Sequence, residues 1–228
     1  MNVVAIIQAR MGSTRLPGKV MKDICGKPML ERIVDRVLLS HEVNKVVVAT
    51  SNLNKNDVIC DFCNDKAINV YRGSEKDVLG RYYKCATKNN ADVVVRITAD
   101  CPFVSPRMID DMISLFLVKE CDFVSNVMER TFPKGLDLEV FSMNLLQKTF
   151  NNAISDYDRE HVTPYMYNPT TYIHDEDLSF ISFEDDEDFS KLRFTVDLQS
   201  DLDFTRKVYE HFGTDFFEYG EIIESDMI

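Results

Sequence analysis

The chain has 228 residues, of which 45% are hydrophobic and 28% are charged; these ordinary globular values disfavour a disordered or fibrous class and fit one α/β domain. Its net charge of −12 argues against nucleic acid as the partner, because binding to a phosphate backbone requires a broad basic face. The longest apolar runs are far shorter than the roughly 20 residues that span a bilayer, so no membrane segment is predicted.

Short apolar runs, each followed by a longer segment with helical spacing, recur through the first half of the chain. This alternation is typical of β-α units and predicts a mostly parallel sheet. Strands are predicted at about 3–8, 45–50, 69–71 and 92–97. Helices are predicted at about 29–39, 56–63 and 77–88. The Val/Ile-rich, non-alternating strands indicate burial on both faces of the sheet.

The regular alternation continues through a helix at 106–118 and a strand at 122–126, and then weakens. "GLDLEVF", residues 135–141, alternates apolar and acidic positions and predicts a strand with one wet face. The remaining predicted elements are helices near 144–153 and 159–166, short antiparallel strands at 171–174 and 178–183, a strand "LRFTVD" at 192–197, and a helix at 202–212. No linker or repeat divides the chain, so we predict a single domain over 1–228, with an edge or dimerisation arm at about 168–190.

The beginning of the chain and the cysteines indicate a reducing compartment. No basic segment followed by an apolar stretch and a cleavage site precedes the first strand, so we expect no secretory signal and a cytoplasmic location. The six cysteines form no dense framework, which fits reduced thiols. Cys60-x-x-Cys63 is the one suggestive pair, and without matched further ligands we interpret it as core packing.

A basic loop stands out against the acidic background of the chain. "AIIQARMGSTRLPGKV", residues 5–20, runs from the first strand into glycines and a Pro-Gly pair, with Arg10, Arg15 and Lys19 among them. Glycine lets the backbone turn closely around a ligand, and the cations supply charge-assisted contacts to phosphate oxygens. The loop matches neither a Walker A motif nor the dinucleotide fingerprint. It predicts a local site for a small polyanion such as a nucleotide.

Two carboxylates follow predicted strands at the edge where open α/β sheets bind ligands. Asp100 lies in "RITADCP" and Asp197 in "FTVDLQSDLDF". Either could cap the next helix. Mg²⁺ is commonly bound by one or two carboxylates, with water and substrate phosphates as its other ligands. Two carboxylates beside a phosphate-binding loop therefore also fit a magnesium site.

Several segments resemble a known family. "QARMGSTRLPGKVMKDICGKPMLERIVDRV" is similar to the opening of cytidylyltransferases that activate sugar acids, especially CMP-3-deoxy-manno-octulosonate synthetases. "RGSEKDVLGRYY", "VVRITADCPFVSP", "FPKGLDLEVFS", "REHVTPY" and "LRFTVDLQSDLDFTRKVYE" resemble successive blocks of the spore-coat polysaccharide biosynthesis protein F family. The resemblance implies a Rossmann-like, GT-A-like nucleotidyltransferase fold: a three-layer α/β sandwich with a mixed, mostly parallel seven-stranded sheet and a small antiparallel arm. It also implies a homodimer.

The resemblance further implies an activity and a set of site residues. The activity is Mg²⁺-dependent transfer of CMP from CTP to a small-molecule acceptor, with release of pyrophosphate and a role in polysaccharide synthesis. The implied catalytic residues are Arg10, Lys19 and Asp100, with Asp100 and Asp197 as metal ligands. The implied nucleotide-binding residues are Ala9, Arg10, Met11, Gly12, Ser13, Arg15, Lys19, Arg72, Gly73, Ser74, Asp77, Thr98 and Ala99.

The acceptor site departs from the sugar-acid synthetases, so its residues are chosen by chemistry. Asp137 and Glu139 lie two apart on one predicted strand, on one face, and acidic groups suit sugar hydroxyls; an exposed strand face is the alternative. Arg159 and His161, at a predicted helix start, could hold a carboxylate or phosphate. The acceptor could be a sugar acid, a phosphorylated metabolite or an amino-acid derivative.

Two other functions share this fold class and stay open. A metal-dependent glycosyltransferase would place an acidic metal site at a strand end, but it lacks a "GSTRLPGK" loop for a triphosphate. A non-catalytic assembly factor would bind neither CTP nor Mg²⁺. The acidic segment 175–188 fits any of these functions and is interpreted as a solvated arm.

Overall fold

The computed structural model describes residues 1–167, 178–225 and 227–228. The strands, numbered in chain order, are β1 Val3–Gln8, β2 Asp23–Ile24, β3 Lys27–Pro28, β4 Lys45–Ser51, β5 Asn69–Gly73, β6 Val93–Thr98, β7 Phe123–Ser125, β8 Glu139–Ser142 and β9 Phe180–Ser182. The helices are α1 Met29–Val37, α2 Asp57–Asp65, α3 Val78–Lys88, α4 Pro106–Val118, α5 Met143–Asn152, α6 Asp156–His161, α7 Pro164–Tyr167, α8 Gln199–Phe212 and α9 Tyr219–Glu224.

The main sheet has the strand order β5-β4-β1-β6-β8-β7-β9. Strands β5, β4, β1 and β6 run parallel to one another. Strand β8 runs antiparallel to both β6 and β7, and β9 is parallel to β7. The sheet is therefore mixed and mostly parallel, and the carboxyl ends of its parallel strands meet at one edge.

Helices cover both faces of this sheet because its central strands are apolar on both sides. In β1, Val3, Ala5 and Ile7 pack into one core with α1, α2, α4, α8 and α9. Val4 and Ile6 point the other way and pack with α3, α5 and α7. This three-layer sandwich confirms the predicted fold class.

Most of the elements predicted for the first half of the chain are confirmed within a few residues. Strand β1 and helix α4 have the predicted bounds. Helix α4 begins where it does because Ser105 Oγ accepts a hydrogen bond from Met108 N–H at 3.0 Å and Pro106 fills the first turn, as in a capped helix start. Asp77 caps α3 in the same way, through Gly80 N–H at 2.8 Å.

The prediction of a strand at 192–197 is wrong. The segment makes one isolated bridge, between Lys134 and Arg193. Its other backbone hydrogen bonds go to loop carbonyls and do not form the repeated pairing of a strand. Val196 N–H donates to the Asp100 carbonyl at 2.9 Å, and Phe194 N–H donates to the Lys134 carbonyl at 2.6 Å. An apolar-rich run has the composition of a strand, but these bonds to loop carbonyls keep it out of the sheet and bring it to Asp100.

The interpretation of 135–141 as a strand with one wet face is also wrong. The strand begins only at Glu139, so Asp137 precedes it and does not share a strand face with Glu139. Glu139 is 1% exposed and forms an ion pair with Arg96 on β6. An acidic residue in a strand usually indicates exposure to solvent. Glu139 can be buried because its charge is paired with that of Arg96 on the neighbouring strand.

The predicted helix 159–166 is two short helices, α6 and α7, which separate at Val162. This buried residue has φ +75° and ψ −61°, a positive-φ conformation outside the helical region, so α6 ends there. Arg159 and His161 were predicted at the start of a helix. They lie instead in its last turn.

The predicted arm is only partly within the described residues. The strand expected at 171–174 lies outside them, while the strand at 180–182 joins β7 in parallel and not in the antiparallel sense. The small antiparallel sheet is instead the hairpin of β2 and β3, which was not predicted.

The interpretation of Cys60 and Cys63 as packing residues agrees with their burial on α2. Burial raises the pKa of the Cys63 thiol to about 12. In the part of the chain that the structure describes, no helix has both the length and the apolar composition to cross a membrane.

Candidate active site

The basic loop leaves β1 at the carboxyl edge of the sheet and closes on itself. Ala9 N–H donates to the Ala49 carbonyl on β4 at 3.1 Å, which fixes the start of the loop. Gly18 N–H donates to the Met11 carbonyl at 3.4 Å. Gly18 has φ +67°, a conformation that glycine adopts without steric cost. The chain then forms one 3₁₀ turn, Lys19–Met21, which begins with the lysine of the loop.

A buried amide that the sequence reasoning missed holds the middle of the loop. Asn56 Oδ1 accepts from Met11 N–H at 2.8 Å, and Asn56 Nδ2 donates to Ser51 Oγ at 2.5 Å. The Asn56 side chain is fully buried. A buried amide bonded at both ends fixes the backbone that it contacts. In the sequence, Asn56 is marked only by its place in the polar segment 52–57, which directly follows β4.

Lys19 lies between Asp100 and Asp197 and contacts both. Its Nζ is 2.9 Å from Asp100 Oδ2, 2.9 Å from Asp197 Oδ1 and 2.8 Å from the Val196 carbonyl oxygen. Burial alone would lower the pKa of Lys19, but the two carboxylates outweigh burial and the pKa is raised above its usual 10.5. The ammonium therefore stays charged and joins the two acids.

Asp197 is held by further cations and by backbone. Arg15 Nη2 is 3.0 Å and Arg193 Nη2 2.7 Å from Asp197 Oδ2. Asp201 accepts a hydrogen bond from Asp197 N–H at 2.8 Å and also contacts Arg193 at 3.3 Å. Burial would raise the pKa of Asp197, but hydrogen bonds from Lys19 and Arg193 keep it below its usual value. Asp197 is thus ionised and fixed in place.

The two carboxylates fit the ligand chemistry of Mg²⁺. Lys19 contacts only Oδ2 of Asp100, and Asp100 Oδ1 has a weak thiol contact from Cys101 at 3.7 Å. The Asp100 side chain is 30% exposed towards solvent. No group of three metal-ligating side chains converges within the described ranges. An ion here would take its other ligands from water and substrate phosphates, as Mg²⁺ commonly does.

A cleft of about 440 Å³ opens over this cluster. Its lining contains many of the residues predicted for nucleotide and metal. The lining residues are Gln8, Arg10, Gly12, Ser13, Thr14, Arg15, Lys19, Val20, Thr98, Ala99, Asp100, His161 and Asp197. The side chains of Arg10 and Arg15 are 47% and 61% exposed. They are therefore available to anionic oxygens in the cleft.

Of the residues expected to hold the base, Asp77 lines a second cavity, of about 560 Å³, while Arg72, Gly73 and Ser74 are not among its lining residues. The Asp77 carboxylate also accepts two hydrogen bonds from Arg159, at 2.9 and 2.7 Å. Arg72 forms an ion pair with Asp57 at 2.7 Å. Gly73 gives room to a neighbouring side chain, since a Cβ there would lie 2.9 Å from Arg81 Cγ. Their binding to the base, like that of Ser74, stays a prediction.

The four residues predicted for the acceptor do not lie together at one surface. Asp137 accepts two hydrogen bonds from Arg130, at 2.7 and 3.1 Å. Glu139 is buried and Arg159 is bound to Asp77. His161 lines the cleft. The structure therefore engages three of these side chains in internal pairs and leaves His161 beside the site.

A family model described as cytidylyltransferase matches residues 4–223. The chain belongs to the cytidylyltransferase family. The resemblance drawn from its motifs is thereby confirmed, and the chain is a CTP-dependent nucleotidyltransferase. The matched region includes the basic loop, Asp100, Asp197 and His161.

Relatives of this cytidylyltransferase agree with the fold and the family. It is 33% identical to the spore coat polysaccharide biosynthesis protein SpsF of Bacillus subtilis, over 93% of this chain and 88% of that protein. A cytidylyltransferase structure from Leptospira borgpetersenii is 34% identical, with a TM-score of 0.92 over 98% of this chain and 93% of that one. CMP:2-keto-3-deoxy-manno-octonic acid synthetase, solved in complex with CTP, shares the fold at 18% identity, with a TM-score of 0.70 over 92% and 99% of the two chains.

Proposed function

We propose that this cytidylyltransferase uses Mg²⁺ to transfer CMP from CTP to a small acidic acceptor, a sugar acid or a phosphorylated metabolite, and releases pyrophosphate. The observation that carries the proposal is the position of Lys19, whose Nζ is 2.9 Å from both Asp100 and Asp197. The three residues of this cluster line one cleft together with Arg10 and Arg15, whose side chains are exposed. Carboxylates for a metal and cations for phosphates therefore face one space.

The chain's own residues have distinct roles in this reaction. The acceptor oxygen attacks the α-phosphorus of CTP while the bond from that phosphorus to the oxygen shared with the β-phosphate breaks, so pyrophosphate leaves; an acceptor that attacks through a hydroxyl group releases its proton to water. Arg10, Arg15 and the backbone around Gly12 hold the β- and γ-phosphates. Lys19 supplies positive charge where negative charge develops. Mg²⁺, held by Asp100 and Asp197, would neutralise phosphate charge.

The similarity to a spore coat polysaccharide biosynthesis protein supports a role in surface polysaccharide or glycan synthesis. The homodimer and the cytoplasmic location stay predictions. Sedimentation velocity of the purified chain tests the dimer directly.

A pyrophosphate-release screen tests the function. Each of the four nucleoside triphosphates is combined with Mg²⁺ and a panel of sugar acids and phosphorylated metabolites. We expect release with CTP and an acidic acceptor, and no release after chelation of the metal. Transfer of sugar from a preformed nucleotide sugar, without pyrophosphate, would instead make the chain a glycosyltransferase and contradict the proposal.

A further inference from the structure

A further lysine, outside the basic loop in the sequence, lies against that loop in the structure. Lys55 belongs to the polar segment 52–57 that follows β4. Its Nζ is 3.0 Å, and its Cε 3.7 Å, from the position that a Cβ on Gly12 would occupy. The ammonium can come this near because residue 12 is a glycine. Since Gly12 lines the cleft, Lys55 lies beside the backbone proposed to hold the β- and γ-phosphates.

The backbone on both sides of Lys55 is held by Arg72, at the end of β5. Arg72 Nε donates to the Ser51 carbonyl at 3.3 Å, and Arg72 Nη2 donates to the Leu53 carbonyl at 3.2 Å. Arg72 Nη1 also pairs with Asp57 at 2.7 Å. These contacts fix the segment from its beginning to its end, so the position of Lys55 beside the loop does not depend on its own side chain alone.

Glu75 holds the ammonium of Lys55 and leaves part of it open. Lys55 Nζ is 2.9 Å from Glu75 Oε1, and a Cβ on Gly12 would lie 3.5 Å from the same carboxylate oxygen. An ammonium has three N–H donors, of which this ion pair uses one. The Lys55 side chain is 48% exposed. Donors therefore remain for an anionic oxygen that approaches Gly12.

Much of the positive charge within the basic loop is already paired with aspartates. Lys19 contacts Asp100 and Asp197, and Arg15 contacts Asp197. The terminal phosphate of a triphosphate carries about −1.5 to −2 at neutral pH, as a phosphomonoester does. Charge-assisted hydrogen bonds to such oxygens are the strong ones in proteins. An ammonium with open donors beside the loop therefore suits the terminal phosphates.

We propose that Lys55 is a further triphosphate-binding residue, whose ammonium contacts the terminal phosphates of CTP while Glu75 keeps its side chain beside Gly12. Lys55 lies just outside the lining of the cleft, and its flexible four-carbon stem lets the ammonium turn from Gly12 towards a bound phosphate. The proposal rests on the proposed function for the position of the triphosphate. It assigns to Lys55 a part of the preference for a triphosphate over a monophosphate.

The test is a calorimetric titration of the full chain with inorganic tripolyphosphate, CTP and CMP, with Mg²⁺ present throughout. Lys55→Met removes the ammonium and keeps a long, flexible side chain. We expect this variant to bind tripolyphosphate and CTP about tenfold more weakly than the wild type, the scale of one charge-assisted hydrogen bond. Its affinity for CMP, which lacks the terminal phosphates, should stay unchanged. Lys55→Arg keeps the charge and should retain most of the affinity for tripolyphosphate.

Lys66→Met is the matched control. Lys66 also pairs with a glutamate, Glu31, at 2.7 Å, and its side chain is 50% exposed, but it lies at the end of α2 and not against the loop. Loss of this ion pair should leave all three affinities unchanged. The comparison separates the loss of an exposed Lys–Glu pair as such, which contributes little to stability, from the loss of a cation beside Gly12.

The titrations also separate failure of this proposal from failure of the proposed function. Wild-type affinity of Lys55→Met for tripolyphosphate and CTP would overturn the role of Lys55 and leave the proposed function standing. An equal loss for CMP would show that Lys55 only maintains the shape of the loop, and it too would overturn the role. A wild-type chain that binds tripolyphosphate through Lys55 but does not bind CTP would contradict the proposed function and support the phosphate site. A wild-type chain that binds neither would overturn both.

Discussion

Lys19 holds together two carboxylates that would otherwise repel each other. Its Nζ is 2.9 Å from Asp100 and from Asp197, and Arg15 also contacts Asp197 at 3.0 Å. The positive charges of Lys19 and Arg15 are thus neutralised by the two aspartates, and this pairing reduces the repulsion between neighbouring cations of the basic loop. When a triphosphate binds, we expect Arg15 to exchange its carboxylate for phosphate oxygens, while Lys19 stays between the acids and the phosphates.

At the same scale, Asn56 is the residue on which the shape of the loop depends. Asn56→Ala leaves Met11 N–H without the partner that it has here and removes one hydrogen bond from the buried Ser51 Oγ. We expect a loss of about 1–3 kcal/mol in the free energy of unfolding and a raised KM for CTP. Urea unfolding and pyrophosphate-release kinetics check both effects. Asn64→Ala, at an exposed position of α2, is the control; an equal effect there would refute a specific role for Asn56.

At the scale of elements, the site depends on a contact between two segments outside the sheet. Gly135 has φ +104°, and a Cβ on it would lie 2.3 Å from the backbone nitrogen of Thr195. The adjoining Lys134 carbonyl accepts hydrogen bonds from Phe194 and Thr195. Because Asp197 follows two residues later, this glycine contact helps to set the position of a proposed metal ligand.

Gly135→Ala should therefore damage both stability and activity. The added methyl group meets backbone that cannot give way, so we expect about 1–3 kcal/mol of destabilisation, the scale of overpacking, together with reduced turnover. Gly220→Ala is the matched control, since a Cβ there meets nothing within 4 Å; it should change stability by less than about 1 kcal/mol. Wild-type stability and turnover in Gly135→Ala would contradict this account.

The same elements show what the sequence could and could not predict. The strands of the parallel half and the loop after β1 follow from local apolar patterns, and so does the position of Asp100 after β6. The burial of Glu139 depends on its ion pair with Arg96, and the position of 192–197 depends on a hydrogen bond to the Asp100 carbonyl. Both partners are distant in the chain, so no local sequence pattern contains them.

At the scale of the whole molecule, a net charge of −12 coexists with one basic cleft at the carboxyl edge of the sheet. The acidic surface gives no general affinity for polyanions, so binding should be confined to ligands that fit the cleft. The cleft joins the loop after β1, the end of β6, the end of α6 and the segment before α8. A ligand there connects parts distant in the chain.

Ligand binding should therefore stabilise the chain as one unit. With CTP and Mg²⁺ at 100 times the dissociation constant, we expect about 2.7 kcal/mol of added stability, seen as a shift of a single thermal transition. Chelation of the metal should abolish most of the shift. Two separate transitions, only one of which moves, would contradict the prediction of a single domain over 1–228.

The most direct test of the proposed catalytic cluster is pyrophosphate release by Asp100→Asn, with Asp111→Asn as the control. Asp111 pairs with Arg107 at the surface, and its side chain is 55% exposed, so its substitution should leave turnover unchanged. For Asp100→Asn we predict a folded protein whose turnover with CTP, Mg²⁺ and the acceptor found in the screen falls about 100- to 1,000-fold, as when one electrostatic contributor is removed. Near-wild-type turnover by Asp100→Asn would contradict the assignment of Lys19, Asp100 and Asp197 as the catalytic centre.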